Sequence, residues 1–171
     1  MTISEIQEKI INEFKNFDNW MDKYNYLVKL GKDLSSIDSK YKTENNLIKG
    51  CQVKTWFHSA FKDGKVFYDI DSSSIMIKGI IALLIRVLSG QKPEDIKNAD
   101  LYFIDKTGLR ENFSPARANS LWKLANKMKS DATLREVKIG VEKKGLRDNS
   151  GAYFFNIWQI ILFRLFLFWP R

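Results

Sequence analysis

The chain has 171 residues, of which 44% are hydrophobic and 28% are charged, a composition typical of one soluble globular domain with a single core. Its formal net charge of +8 would permit nucleic-acid binding, but the basic residues alternate with acidic ones and form no stripe. We therefore exclude wholesale disorder and expect a mildly basic surface, with no nucleic acid among the partners.

Apolar residues recur at helical spacing near the N-terminus and predict an amphipathic helix. They are Ile6, Ile10, Ile11 and Phe14. We interpret Ser4 and Gln7 as the capping box of this helix. A second helix is predicted to begin after Asp18, which is a good N-cap residue, and to end at Gly31.

The middle of the chain predicts a small sheet. Residues 35–46 are polar without periodicity and predict a loop, whereas residues 53–61 alternate between the two faces of a strand. The turn residues 62–65 then lead into a second strand over residues 66–70. We therefore predict an antiparallel hairpin.

The following segments are predicted to be helical. A nearly continuous apolar run over residues 75–88 is too long for a strand and predicts a buried helix. Short helices are predicted from Pro93 and over residues 99–106, and Ser114 is expected to cap a last helix with Pro115 at its first position. Because helices flank the sheet on both sides in sequence, we predict an α+β fold with a small antiparallel sheet of about three strands.

The C-terminal end does not fit this pattern. We assign residues 1–130 to the domain and residues 131–171 to a linker, 131–151, followed by an apolar tail. The apolar run over residues 153–169 would span only about 25 Å as a helix, less than the roughly 30 Å of a bilayer core, and it contains Arg164. Three interpretations stay open for the tail: a segment foreign to the domain, a membrane-surface or anchoring helix, and a helix docked on the domain. Membrane contact is not expected for the domain itself.

Cys51 is the only cysteine of the chain and follows Gly50 at the boundary between the polar loop and the first strand. A single cysteine excludes an intramolecular disulfide, and residues 1–5 have no signal-peptide character, so we expect a reducing, cytoplasmic setting. Gly50 permits backbone conformations closed to other residues, and Gln52 can hydrogen-bond a sulfur or the backbone. A buried, unreactive thiol and plain turn residues are the alternative interpretation.

Four short motifs occur in a fixed order around this cysteine. They are Trp20-Met21-Asp22-Lys23-Tyr24 with Leu30-Gly31, Ile48-Lys49-Gly50-Cys51-Gln52 with Trp56, Asp71-Ser72 with Ile77-Lys78-Gly79, and Ser114-Pro115-Ala116-Arg117. Their order and spacing resemble the SufE family of sulfur-acceptor proteins over roughly residues 3–130. The sequence departs from the family pattern at Val53, where a serine is usual, and at Ser73, where an aspartate is usual.

The resemblance implies a protein that takes persulfide sulfur onto Cys51 from a SufS-like cysteine desulfurase, stimulates that enzyme and passes the sulfur to a SufBCD-like iron–sulfur scaffold complex. It implies no cofactor beyond the transient cysteine persulfide, because pyridoxal phosphate belongs to the desulfurase. It also implies that Arg117 contacts the desulfurase or stabilises the sulfur loop, and that Lys78 and Gly79 act in helix packing beneath that loop. Lys49, Lys54 and Arg117 could supply the positive potential that favours a thiolate.

Two other functions stay open. A binding-only regulator would contact the desulfurase without taking up sulfur. A cysteine hydrolase would use Cys51 as nucleophile and His58 as base, but an extended strand would place His58 about 20 Å from Cys51 at about 3.3 Å per residue. A zinc site is not expected, because one cysteine and one histidine fall short of its usual ligand set.

Overall fold

A computed structural model describes the backbone of residues 1–148 and the side chains of residues 1–141. The chain divides into two compact units, Met1–Thr133 and Leu134–Arg171. The helices are α1 (Ile3–Lys15), α2 (Trp20–Asp33), α3 (Ile75–Leu88), α4 (Pro93–Asn98), α5 (Phe103–Lys106), α6 (Leu109–Asn112) and α7 (Pro115–Asp148). The strands are β1 (Thr55–Lys62) and β2 (Lys65–Ser72), and two single-turn 3₁₀ helices, Ser39–Tyr41 and Glu44–Asn46, precede them.

The predicted α+β fold and hairpin are confirmed. β1 and β2 pair antiparallel, and the turn residues Asp63 and Gly64 both have positive φ, at 52° and 76°, as the preferred two-residue hairpin turn requires. The prediction of about three strands is wrong, because the part of the chain that the structure describes forms a sheet of two strands. Leu47 and Gln91 add only isolated bridges at the two edges of the hairpin.

Helix α3 forms the centre of the core, as its apolar run predicted. Ile80, Ile81 and Leu84 are at most 1% exposed. Gly31 of α2 and Gly79 of α3 let the two helices approach backbone to backbone. A Cβ atom on Gly79 would lie 2.1 Å from the Leu27 carbonyl oxygen. Buried residues occur all around α3, because the helix is enclosed by its neighbours and has no broad face toward solvent.

The predicted end of α2 at Gly31 is wrong, because the helix continues to Asp33. A Cβ atom on Gly31 would lie 2.2 Å from the Ile75 carbonyl oxygen. The glycine therefore marks the close contact with α3 rather than a left-handed helix terminus. The local rule failed because a glycine needed for long-range packing has the same sequence signature as one that ends a helix.

Two predicted helix caps lie one or two residues from the observed ones. Thr2 rather than Ser4 caps α1, and Gln7, which is predicted to form the capping box with Ser4, is buried in the core. Asn19 rather than Asp18 caps α2. Neighbouring polar residues have similar cap preferences, so the sequence pattern located these helices without fixing their first residue.

The last helix begins at Pro115, as predicted, and it contributes to the core. Met128 and Ala132 are fully buried, and the Tyr68 hydroxyl donates a hydrogen bond of 2.8 Å to the Met128 carbonyl oxygen. The helix runs on to Asp148, so the predicted linker is helical as far as the structure describes it. The apolar tail over residues 153–169 lies outside the described residues, and the division at residue 130 stays a prediction. None of the described helices is long and apolar enough to cross a membrane.

Candidate functional site

Cys51 lies in a loop that is closed at its base; we call residues 48–54 the Cys51 loop. On its N-terminal side, Leu47 pairs with Trp56, and the Ile48 N–H donates a hydrogen bond of 2.9 Å to the Thr55 carbonyl oxygen. These bonds make the loop an extension of the β1 edge. The hairpin therefore determines where the thiol is presented.

Two apolar side chains and one backbone bond attach the Cys51 loop to the body of the domain. Ile48 and Val53 are partly buried and pack against the core. The Ser73 N–H donates a hydrogen bond of 2.9 Å to the Lys54 carbonyl oxygen. Val53 and Ser73, the two departures from the family pattern, thus both take part in anchoring the loop.

Gly50 forms the turn at the tip of the loop. Its φ of 74° lies in the left-handed region, which L side chains rarely adopt, so a glycine suits this position. A Cβ atom here would also lie 2.7 Å from the Lys123 Nζ atom. The positive φ is the constraint that requires glycine here, because the flexible lysine side chain could move away from an added Cβ atom. Gln52, two residues further along, is exposed on the loop.

The ammonium group of Lys123 contacts the loop tip from α7. Lys123 Nζ donates a hydrogen bond to the Gly50 carbonyl oxygen, although the two residues are 73 positions apart. Lys123 is half-buried, and the residue whose carbonyl oxygen it binds directly precedes Cys51. Lys123 is a site residue that the sequence motifs did not indicate.

The Cys51 thiol is free and half-buried. Burial raises the pKa of Cys51 above that of an ordinary thiol, and the positive charge of Lys123 opposes this rise without cancelling it. At neutral pH the resting site therefore holds mainly the protonated thiol. The loop borders a surface cavity of about 280 Å³ that is lined by Glu44, Leu47, Ile48, Lys49, Gly50, Cys51, Gln52, Val53 and Lys54.

A buried carboxylate supports the C-terminal base of the loop. Asp71 binds Lys42 at 2.8 Å and Lys78 at 3.3 Å, and it accepts a 2.8 Å hydrogen bond from the Ser72 N–H. Burial would raise the pKa of Asp71, but the hydrogen bonds from Lys42 and Ser72, together with the Lys78 charge, outweigh burial and lower the pKa. The Ser72 hydroxyl in turn donates to the Lys54 carbonyl oxygen at 3.1 Å. This arrangement connects Lys78 of α3 to the end of the Cys51 loop.

The other basic residues considered from the sequence either pack on α2 or are exposed within the Cys51 loop. The Arg117 guanidinium carbon lies 5.8 Å from the centroid of the Tyr24 ring, so Arg117 packs on α2. Lys49 and Lys54 flank Cys51 in sequence but are exposed. What distinguishes Lys123 is its hydrogen bond to the Gly50 carbonyl oxygen at the loop tip.

His58, the base of the alternative hydrolase, is engaged by other side chains. Its ring stacks on Tyr41 with centroids 3.7 Å apart, and its Nδ1 atom lies 3.4 Å from an Asp69 carboxylate oxygen. These contacts hold the imidazole on β1. Across residues 1–141, no group of three or more His, Cys, Asp or Glu side chains is placed to hold a metal ion.

Comparison with known proteins identifies one family. The family model described as SufE, Fe-S metabolism associated domain, matches residues 8–132. The cysteine desulfuration protein SufE of Wigglesworthia glossinidia brevipalpis is 32% identical over 136 residues, which cover 76% of this chain and 94% of that protein. The match therefore includes α2, the Cys51 loop, the hairpin and the first half of α7.

Two further similarities extend this result. SufE-like protein 1, chloroplastic/mitochondrial, of Arabidopsis thaliana is 32% identical over 151 residues, which cover 88% of this chain but only 40% of that protein. The matched 88% of the chain is more than residues 1–130 contain, so this match must extend past residue 130. The solution structure of a hypothetical protein from Thermus thermophilus has the same fold, with a TM-score of 0.62 and 19% identity over 75% of this chain and 93% of that one.

Proposed function

The chain belongs to the SufE family, as the sequence motifs indicated, and from this premise we propose that it accepts sulfur from a cysteine desulfurase on Cys51 and carries it as a persulfide. The observation that carries the proposal is the placement of the thiol. Cys51 lies next to a left-handed glycine at the tip of an anchored loop, beside a surface cavity and a lysine. Such a loop can present sulfur to a partner while the rest of the domain stays fixed.

The transfer step needs no external oxidant. The Cys51 thiol first loses its proton, and the thiolate attacks the terminal sulfur of the persulfide on the desulfurase. A new sulfur–sulfur bond forms at Cys51 as the old one breaks, and its electron pair leaves with the cysteine thiolate of the desulfurase. Because the resting thiol is mainly protonated, we propose that the Cys51 thiol ionises when the desulfurase binds.

A chain with one cysteine suits a carrier. A second thiol near the persulfide would attack it, form a disulfide and expel the sulfur as sulfide. We propose that the protein works in a reducing compartment such as the cytoplasm and that it stimulates the desulfurase by removing its persulfide. We further propose that it passes the sulfur to an iron–sulfur scaffold. In this scheme the protein needs no cofactor, since pyridoxal phosphate belongs to the desulfurase.

Sulfur uptake is tested by intact-protein mass spectrometry. After incubation with a cysteine desulfurase and cysteine, without reductant, the chain is expected to gain the mass of one sulfur atom, located on Cys51. Addition of a thiol reductant should remove this gain, because a persulfide is cleaved by thiolates. Stimulation of the desulfurase without any gain in mass would favour the binding-only regulator and would contradict the carrier.

Arg117 is proposed to contact the desulfurase. Replacing Arg117 with alanine is expected to raise the acceptor concentration needed for half-maximal desulfurase turnover by about three- to tenfold, since a guanidinium makes forked contacts with carboxylates across an interface. Arg110 offers a matched control, because its guanidinium carbon also lies over an aromatic ring, 5.2 Å from the centroid of Trp122. Equal, small effects of Arg117→Ala and Arg110→Ala on turnover would contradict a contact between Arg117 and the desulfurase. The role of Arg117 would then be limited to its packing on Tyr24.

A further inference from the structure

We propose that Lys123 is a positioning residue of the sulfur site: its ammonium group ties the tip of the Cys51 loop to α7 through the Gly50 carbonyl oxygen and holds a positive charge beside the Cys51 sulfur. The inference rests on the proposed function and adds to it a residue outside the loop. It also assigns a role in the site to α7, the helix that carries Lys123.

The first support is the contact at Gly50. Lys123 Nζ donates to the Gly50 carbonyl oxygen, and it lies so close to the Gly50 backbone that a Cβ atom there would be 2.7 Å away. The lysine thus reaches the backbone of the residue that precedes Cys51. A hydrogen bond from a charged donor is stronger than one between neutral groups, so this contact favours the turn that presents the thiol.

The second support is the rigidity of the helix that carries the lysine. Leu121, Leu124 and Ala125, which flank Lys123 on α7, are at most 2% exposed. The helix backbone at residue 123 is therefore fixed by the core, and the ammonium group is attached to a fixed element. A cation held in this way stays near the same atom of the loop, whereas a cation on a mobile segment would be near that atom for only part of the time.

The third support is the charge around the thiol. Glu44, Lys49 and Lys54 line the same cavity as Cys51, and all three are exposed, so solvent screens their charges. Lys123 is half-buried, and its charge opposes the rise in the pKa of Cys51 that burial causes. The bond to the Gly50 carbonyl oxygen also keeps the Lys123 ammonium group at a defined place, one residue from Cys51.

Lys123 would act on both anions of the transfer step. The attacking Cys51 thiolate carries a negative charge before the step, and a deprotonated persulfide on Cys51 carries one after it. The ammonium group stabilises each of these anions by its charge, and it neither transfers a proton nor forms a covalent bond. Because the same cation stays bound at the loop tip before and after transfer, it would favour both the uptake of sulfur and its retention on the loop.

The test measures the alkylation of Cys51 by iodoacetamide as a function of pH, on the isolated protein. Replacing Lys123 with methionine, which removes the charge and the donor, is expected to move the midpoint of the profile upward by about 0.5–1 pH unit, because only the thiolate reacts. Below the midpoint the rate should then fall about three- to tenfold. Lys123→Arg, which keeps a positive donor, should restore most of the rate.

Lys127→Met is the matched control, since Lys127 lies four residues further along α7 and its Nζ atom lies 5.3 Å from the centroid of the Phe57 ring. This variant changes the net charge equally and should leave the midpoint where it is. Equal shifts in both methionine variants, an unchanged midpoint in Lys123→Met or a downward shift would each overturn the proposal.

The alkylation assay contains no desulfurase, so its outcome depends on Lys123 and not on sulfur uptake. If the unaltered chain gains no sulfur from a desulfurase, the proposed function fails while the alkylation result stands. If sulfur uptake occurs but the midpoint does not respond to Lys123, the positioning role fails and the carrier remains. Thermal unfolding of the variants completes the test, because the Lys123 effect should occur without loss of the fold.

Discussion

Replacing Cys51 with serine is expected to reduce the stimulation of the desulfurase to the level of the enzyme without acceptor. Serine conserves the shape of the side chain, but its hydroxyl does not ionise at neutral pH and cannot carry sulfane sulfur. The half-buried position and the backbone bonds at the base of the loop should be unaffected. The measurement is desulfurase turnover as a function of acceptor concentration, together with the thermal unfolding midpoint of the variant.

Two observations accompany this result if Cys51 is the carrier. The serine variant should still bind the desulfurase and should compete with the unaltered chain, since the contact surface remains. It should show no gain in mass after incubation with desulfurase and cysteine. Full stimulation by the serine variant would contradict the carrier mechanism and would support a regulator that acts by binding alone.

Local sequence patterns predicted the three elements that follow Cys51 in the chain. The alternating residues and the turn at Asp63-Gly64 located the hairpin, because the period of two and the left-handed turn are both local properties. The apolar run of α3 located the central helix for a similar reason. The family motifs then indicated Cys51, in the loop before the hairpin, as the proposed carrier of sulfur.

The contact between Lys123 and Gly50 could not be predicted in this way. The two residues are 73 positions apart, and the chain has 28 lysines and arginines, none of which the spacing distinguishes as a partner of the loop. The sequence instead drew attention to Lys49 and Lys54, which are neighbours of Cys51 in the chain but are exposed in the structure. Proximity in sequence is a poor guide to the charge at a loop tip when a distant helix packs beside it.

The two glycines of the α2–α3 contact show the same limit. A local rule predicts that Gly31 ends a helix, whereas the actual constraint on this glycine is its contact with the backbone of α3. Gly79 follows Lys78 in a motif of the family resemblance, and the structure gives it a physical role in the same contact. The structural role of a glycine in a helix therefore depends on the element that packs against it, which local sequence patterns do not identify.

Replacing Gly79 with alanine is expected to destabilise the fold by about 2–4 kcal/mol, because the added methyl group would overlap the Leu27 carbonyl oxygen at 2.1 Å. Backbone atoms on both sides of the contact leave no flexible side chain that could move aside, so α2 and α3 must separate. Their separation would loosen buried residues throughout α3. The change corresponds to a fall of roughly 5–15 °C in the thermal unfolding midpoint, which urea unfolding should reproduce as a lower midpoint concentration.

Gly140→Ala provides the matched control for this expectation. Gly140 also lies in a helix, but among the described residues no atom is within 4 Å of its Cβ position. Alanine has the higher helix propensity, so this change should leave stability unaltered or raise it by up to about 1 kcal/mol. Gly31→Ala, which meets the Ile75 carbonyl oxygen from the opposite helix, should be as harmful as Gly79→Ala. If Gly79→Ala and Gly140→Ala have the same unfolding midpoint, the helices have room to separate without loss of packing, and the contact does not constrain the fold.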